Sequence, residues 1–431
     1  MSIAAAAPPS RELNDPEFLR QVNELRRIDN LTNWFYLARE WTVIAIVIGL
    51  TIASYYSLLE LGLSLFWAVP ITFVMIMCIG ASQHRLGAIT HEAAHYILFR
   101  NRLLNELVSE WFCMFPMLGT THSYRVQHLG HHQYPNDPDR DPDWAQLRMS
   151  GHRYRFPMSR AGVIWHCLAK QLVWPVLLIR YSIARARFVV DQGDGTPYRM
   201  IRHSSAVLKL LLASFYALLI AVLAAAIWWE LPLLLVWSVP PLLLAGVVGF
   251  AIAPHRWFAE YAIRPDVSVR CCTCMRVAFN TFCWTAIAGL TLWTGMPWWL
   301  FYIVLWLIPL GTSFAFFMIL RQLVQHGNAD RERYTNTRIF FVNPLIRLSV
   351  FPLGQDYHLP HHVFPLVPHF NLRKLHDLLM QTEDYRQQAI IVKGYLIPSE
   401  RPPQYPTVID LLSHDETRNL AHLESQPPVV V

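Results

Sequence analysis

The chain has 431 residues, 54% of them apolar and only 15% charged, with a formal net charge of +6 and 19 histidines. Soluble globular chains carry about 25% charged residues, and here the deficit is concentrated in a few long apolar runs, which excludes a large soluble enzyme. The Lys and Arg residues sit on polar loops beside those runs, as membrane topology requires, so no nucleic-acid partner is expected.

In chain order, residues 1–40 are polar and mixed in charge, with Pro8 and Pro9 early and no apolar core behind a basic start. They read as an N-terminal cytoplasmic segment without a cleavable signal peptide. A hydrocarbon core takes about 20 apolar residues to cross. Six stretches supply them: 42–59, 63–82, 207–229, 231–253, 277–295 and 298–320. They pair into three hairpins joined by 60–62, by Glu230 and by Met296 with Pro297, and none of these connections holds a Lys or Arg. The long connections are basic, with Arg11, Arg20, Arg26, Arg27 and Arg39 before the first pair and Arg256, Arg264, Arg270 and Arg276 between the second and third. The positive-inside rule puts all of them in the cytoplasm, and Trp228, Trp229, Trp293, Trp298 and Trp299 mark the opposite interface.

Residues 161–183 are apolar but carry His166, Lys170, Gln171 and Arg180. A seventh crossing there would invert the later loops, so the segment reads as an interfacial amphipathic helix. Cys271, Cys272 and Cys274 lie on the loop before an apolar stretch and read as reduced thiols or a lipidation site, since no second C-x-x-C completes a zinc ribbon. From Pro398 the chain turns Pro-rich and polar. The expected division is 1–40, a membrane domain over 41–380, and a C-terminal cytoplasmic tail over 381–431. The fold class is an all-α integral membrane protein, with about six transmembrane helices in three hairpins under a cytoplasmic helical cap.

Nine histidines form a pattern on the expected cytoplasmic loops: His91 and His95 in HEAAH, His128, His131 and His132 in HLGHH, His326 in QHGN, and His358, His361 and His362 in HLPHH. Four crossings separate HLGHH from His326, an even number, so the chain returns to the same face and the nine rings can meet. On a helix, residues three or four apart share a face. His91 and His95 then form a pincer, and His128, His131 and His132 point one way. HLPHH has the same spacing, with Pro360 tolerable in the first helical turn. Continuing the second membrane helix past Ser82 carries His91 roughly 14 Å beyond the bilayer. Nine imidazoles exceed the needs of one zinc, and two first-row metals with four or five imidazoles each fit the count.

HEAAH, HLGHH and HLPHH resemble the three histidine boxes (HxxxH, HxxHH, HxxHH) of the membrane fatty acid desaturase and hydroxylase superfamily. DYHLPHHVFPLVPHFNLRKLH over 356–376 is similar to the last box of bacterial acyl desaturases, and HEAAHYILFRNRLLNE to the first. The resemblance covers about 83–379. It implies a di-iron centre held by His91, His95, His128, His131, His132, His326, His358, His361 and His362, with O2 as co-substrate. It also implies a membrane lipid or acyl substrate (acyl-lipid, acyl-CoA or acyl-ACP), reduction by a separate ferredoxin or cytochrome b5 type protein, and a place in a bacterial inner membrane with termini and active site cytoplasmic. Some acyl-CoA desaturases place an Asn four residues before the lone His; here that position is Gln322, which keeps the amide. The chain departs from the family's common four crossings, with RWFAEY over 256–261 on the extra loop.

His84 shares a helical face with His91 and either orients a ligand ring or is a polar residue at the interface. His122, Asp356 and His369 flank the boxes as further ring-orienting candidates, whereas Asp137, Asp139, Asp141 and Asp143 orient ligands, bind a cation or, as the preferred reading, form a stiff solvated loop. Hydroxylase, ketolase or decarboxylase chemistry belongs to the same superfamily. The rival from another class is a zinc metalloprotease, since HEAAH also satisfies HExxH with Glu92 as general base. A metal-transport protein would place ionisable ligands inside its crossings, and these crossings nearly lack them.

Overall fold

The computed structural model describes residues 12–187, 196–398 and 400–413; the ends of both expected terminal segments, 1–11 and 414–431, lie outside them. The chain is mostly helical, with short β-pairs at Met200–Arg202 with Glu260–Tyr261 and at Ile339–Phe341 with Ile391–Lys393. Five helices are long and apolar enough to cross a membrane: Thr32–Glu60, Leu65–Ala94, Ala206–Trp228, Pro232–Ile252 and Trp298–His326. Successive long helices are hairpin partners, as the tiny connections without Lys or Arg require. The fifth expected crossing departs from the others. Val269–Thr294 is a continuous helix of 26 residues, but Arg270, Arg276, Asn280 and its threonines lower its apolar character, and it is not among the five.

Three further departures have local causes. Residues 161–183 form neither one straight crossing nor one continuous amphipathic helix: the segments Arg160–Val173 and Val176–Ala186 meet at a bend of 88°, where Pro175 cannot supply the helical N–H. Cys271, Cys272 and Cys274 lie in the opening turns of Val269–Thr294, capped by the Ser268 side chain, and not on a loop. All seven cysteines are free. The segment after 381 is an integral part of the fold as far as Ser413. Ile391–Lys393 pairs in parallel with Ile339–Phe341, and the helix Val408–Leu412 buries Val408, Ile409, Leu411 and Leu412 in the core cluster that also contains Leu323 and Val324. A Thr407–Asp410 capping box starts that helix, and Asp410 pairs with Arg160 at 2.7 Å.

Two helices that carry pattern histidines pack tightly on each other. A Cβ on Gly80 would lie 2.0 Å from Ser313 Oγ and 2.7 Å from the Phe314 backbone nitrogen, so only glycine permits this approach. Ser313 Oγ donates to the Ile76 carbonyl at 2.7 Å, and Gln83 Nε2 donates to that of Trp306 at 3.0 Å. Glu40 and Arg85 form a buried ion pair across the first hairpin.

Candidate metal centre

The helix Ala68–Ala94 runs unbroken through HEAAH, with His95 at its C-cap. Its last carbonyls, with no partner inside the helix, accept from a buried arginine: Arg125 donates Nε to Ala94 at 3.0 Å and Nη2 to Ala93 at 2.8 Å. Arg125 is ion-paired with buried Glu106 and stands over the Tyr96 ring at 3.9 Å. The helix Ser313–His326 ends the same way. Arg338, fully buried, donates Nη1 to the Val324 carbonyl at 2.9 Å and Nη2 to those of Gly327 and Asn328, at 2.5 and 2.9 Å. Both guanidiniums sit where the helix dipole favours positive charge, and each fixes a helix end that carries a pattern histidine. HLGHH lies on the helix Thr121–Gln133. HLPHH opens the helix His358–Val363, with Pro360 in its first turn as expected.

The structure brings all nine histidines together in two groups. His91, His95, His128, His132 and His361 form one, and His131, His326, His358 and His362 the other; within each group the candidate ligand nitrogens all lie within 4.8 Å of one another. The box geometry differs from the expectation that His128, His131 and His132 face one way. Each HxxHH box gives its i, i+4 pair to one group and its middle histidine to the other, so the boxes interlock: His128 and His132 join His361, while His358 and His362 join His131. A helix turns about 100° per residue, so adjacent rings cannot share a face.

Nε2–Nε2 separations are 2.8 Å for His95–His128, 3.1 Å for His128–His132 and 3.0 Å for His132–His361. In the second group they are 3.0 Å for His326–His358 and 3.2 Å for His358–His362. Nitrogens about 2.1 Å from one ion, at roughly right angles, stand about 3 Å apart. Neutral rings hold one proton each and cannot satisfy so many mutual contacts, whereas lone pairs converging on a cation can. The donors are all imidazole, with no carboxylate in either group.

The far sides of the rings are held too. Asp141, buried, accepts from His131 Nδ1 at 3.0 Å on each carboxylate oxygen, leaving Nε2 for the cluster. Burial opposes charge on His131, but Asp141 and Asp143 outweigh it and hold its pKa up at about 9. His326 Nδ1 lies 3.2 Å from the Asn336 carbonyl. Glu92 Oε1 lies 3.4 Å from His91 Nδ1, and its Oε2 accepts from the His369 backbone N–H at 2.9 Å. Gln355 Nε2 lies 3.4 Å from both nitrogens of His91.

The flanking candidates divide. Gln322 is buried in the chamber beside the cluster, and its Nε2 has no partner there. His369 acts through its backbone on Glu92, while its Nε2 lies 3.0 Å from Asn33 Oδ1. His84 bonds the Ser349 carbonyl at 2.9 Å and stacks on Phe317. His122 stands edge-on to Tyr261. Asp356 pairs with Arg347 at 2.8 Å, and burial holds its carboxyl up at about 6 against that cation. None of these last three belongs to either group. Gln355 is the residue sequence reasoning missed, and Asp141 takes the ligand-orienting role that the acidic stretch offered as its second reading. Asp141 directly precedes Pro142 and caps the helix Pro142–Met149, and an Asp-Pro helix start near a histidine box was the available signal.

The fatty acid desaturase family model matches residues 66–285 and 273–393, a region that holds both groups. The chain belongs to the fatty acid desaturase family. This family member is 29% identical over 260 residues to dihydrorhizobitoxine desaturase of Bradyrhizobium elkanii, covering 59% of the chain and 63% of that relative. It is 26% identical over 110 residues to sn-1 oleoyl-lipid 12-desaturase of Anabaena variabilis, covering 26% of the chain and 29% of that relative. The chain thus matches less than two thirds of the length of either relative.

Proposed function

We propose that this member of the fatty acid desaturase family is an O2-dependent desaturase whose nine clustered histidines hold two irons. His91, His95, His128, His132 and His361 take one and His131, His326, His358 and His362 the other. The observation that carries this reading is the division of nine imidazoles, seven of them buried and two half-buried, into two interlocked nitrogen-only groups, a donor set suited to iron. An iron pair supplies the redox chemistry with O2 that attack on an unactivated C–H bond requires. In balance, two adjacent carbons lose two hydrogens and form a double bond. O2, with two electrons and two protons from a donor, leaves as two waters.

The chain's own part is positioning. Neutral imidazoles hold the metals without adding negative charge. Asp141 fixes the tautomer of His131, the Asn336 carbonyl fixes that of His326, and Arg125 and Arg338 fix the helix ends from which His95 and His326 project. Electrons come from a separate ferredoxin or cytochrome b5 type protein, and the substrate contains adjacent saturated carbons, as an acyl chain does. The two relatives are named for different substrates.

The metalloprotease reading lacks support. Glu92 is turned to His91 and His369, and its histidines sit among five converging imidazoles that leave no open three-ligand zinc site.

Reconstitution of the purified chain with iron, a reducing donor and O2, followed by mass spectrometry of products, tests the reading. A loss of 2 Da in a substrate, absent in His361→Ala, is expected. Gain of one oxygen would replace desaturation by hydroxylation, and an unchanged substrate pool with one bound zinc would overturn the proposal.

A further inference from the structure

A cleft of about 490 Å³, ample for a ligand of moderate size, lies beside the two groups. Met114, Met117, Leu118, Leu307, Leu310 and Phe314 give it apolar walls, but Arg185 and Arg276 line it as well. It shares Tyr124, Gln127 and Arg185 with a small chamber of about 20 Å³, room for roughly one water or one small polar group. His91, His128, His131 and His358 form the metal side of that chamber, and Arg321, Gln322, Gln325 and Gln355 line it too. Among the described residues, no carboxylate lies within ion-pair distance of Arg185 or Arg321. Asp143, also in the chamber lining, is turned to His131 at 3.9 Å.

The chamber has unmet hydrogen-bonding demand. Arg321 is 7% exposed and hydrogen-bonds the Tyr124 hydroxyl, but its Nε has no partner; Gln322 Nε2 and Gln355 Oε1 are likewise buried and unpartnered. Arg321 stands near the end of a helix apolar enough to cross a membrane, where an ionisable residue marks function. A methylene chain threaded to the metals would leave these groups unpaired, and unpaired buried charge is costly. A carboxylate answers them, since a guanidinium fork matches its two oxygens.

Resting on the desaturase reading, we propose that the substrate is a compact molecule with a carboxylate a few bonds from the carbons that react. Arg321 receives that carboxylate in the chamber, Arg185 guides it at the neck, and the apolar cleft takes the short remainder. A long acyl chain with a distant head group does not fit this arrangement.

The test uses the full chain, iron-loaded in nanodiscs, with hexanoate, hexanamide and palmitate as probes and the rise in Tm with probe concentration as readout. Hexanoate is expected to stabilise the protein at concentrations at least tenfold below those of hexanamide. Arg321→Gln is expected to weaken the hexanoate response at least tenfold, with Arg321→Lys restoring part of it and Arg185→Gln weakening it as an independent variant. The inference is overturned if hexanoate has no effect, if Arg321→Gln leaves its effect unchanged, or if palmitate acts at a hundredfold lower concentration than hexanoate. Iron content of the same samples separates the two readings. Two irons without a carboxylate response overturn this inference alone, and a carboxylate response in a protein that takes up no iron pair overturns the proposed function.

Discussion

Both carboxylate oxygens of Asp141 lie 3.0 Å from His131 Nδ1, so a buried aspartate fixes the one histidine that the HLGHH box sends to the other box's group. Asp141 is itself held by backbone N–H groups of Asn136 and Asp143, each at 2.9 Å, and cannot swing away. Partners of this kind are commonly worth 10–100-fold in metal affinity. Asp141→Asn is therefore expected to lower affinity at the second group by about 10–100-fold while the first keeps its metal, read as a fall from two irons per chain toward one under limiting iron.

The same pair makes metal uptake pH-dependent. His131 in the metal-free protein is protonated up to about pH 9, and a metal must displace the proton on Nε2. The raised pKa means that the competing proton is fully present at neutral pH and lost only as pH rises through the folded value. Apparent affinity of the second group should climb about tenfold per pH unit from 7 and level off near 9. In Asp141→Asn, whose His131 lacks the facing carboxylate, levelling off should begin at lower pH. Iron titration at several pH values checks both slopes.

His361 and His362 are adjacent in sequence yet serve different groups. His361→Ala should deplete the group of His91 and His95, and His362→Ala that of His131 and His326, each abolishing turnover. Iron spectroscopy of the two variants should show different residual sites; the same residual site in both would contradict the interlocked arrangement.

Arg125 is fully buried against Glu106 and closes the helix that ends at His95. Arg125→Met leaves the Glu106 charge unpaired, at a cost of about 3–5 kcal/mol, and frees the Ala94 carbonyl. A marked drop in Tm with loss of metal from the first group is expected. Gly80→Ala should act by another route: overpacking against Ser313 and Phe314 costs about 1–3 kcal/mol and shifts the His91 helix relative to the His326 helix. Tm and iron content of the purified variants check both.

Much of this was legible in the sequence because it rests on period and charge. The apolar runs, their short turns without Lys or Arg, the three boxes and the lone His326 placed the hairpins and collected the nine histidines at one place. Three kinds of feature were not legible. That adjacent rings such as His131 and His132, or His361 and His362, diverge follows from the helical turn, but which group each ring joins depends on the mutual placement of helices, which no spacing encodes. Asp141 looks like its neighbours Asp137, Asp139 and Asp143 in an acidic loop, and only tertiary burial separates it from them. The C-terminal segment looks polar and Pro-rich, but Val408, Ile409, Leu411 and Leu412 are apolar in a run too short to stand out, and their partners Leu323 and Val324 lie far away in sequence.

The most direct measurement is iron content with Mössbauer spectroscopy on the purified full chain. The account predicts two irons per chain in nitrogen-rich, carboxylate-free sites, one lost in His361→Ala and the other in His362→Ala. A single zinc, or one iron that survives both substitutions, would contradict it.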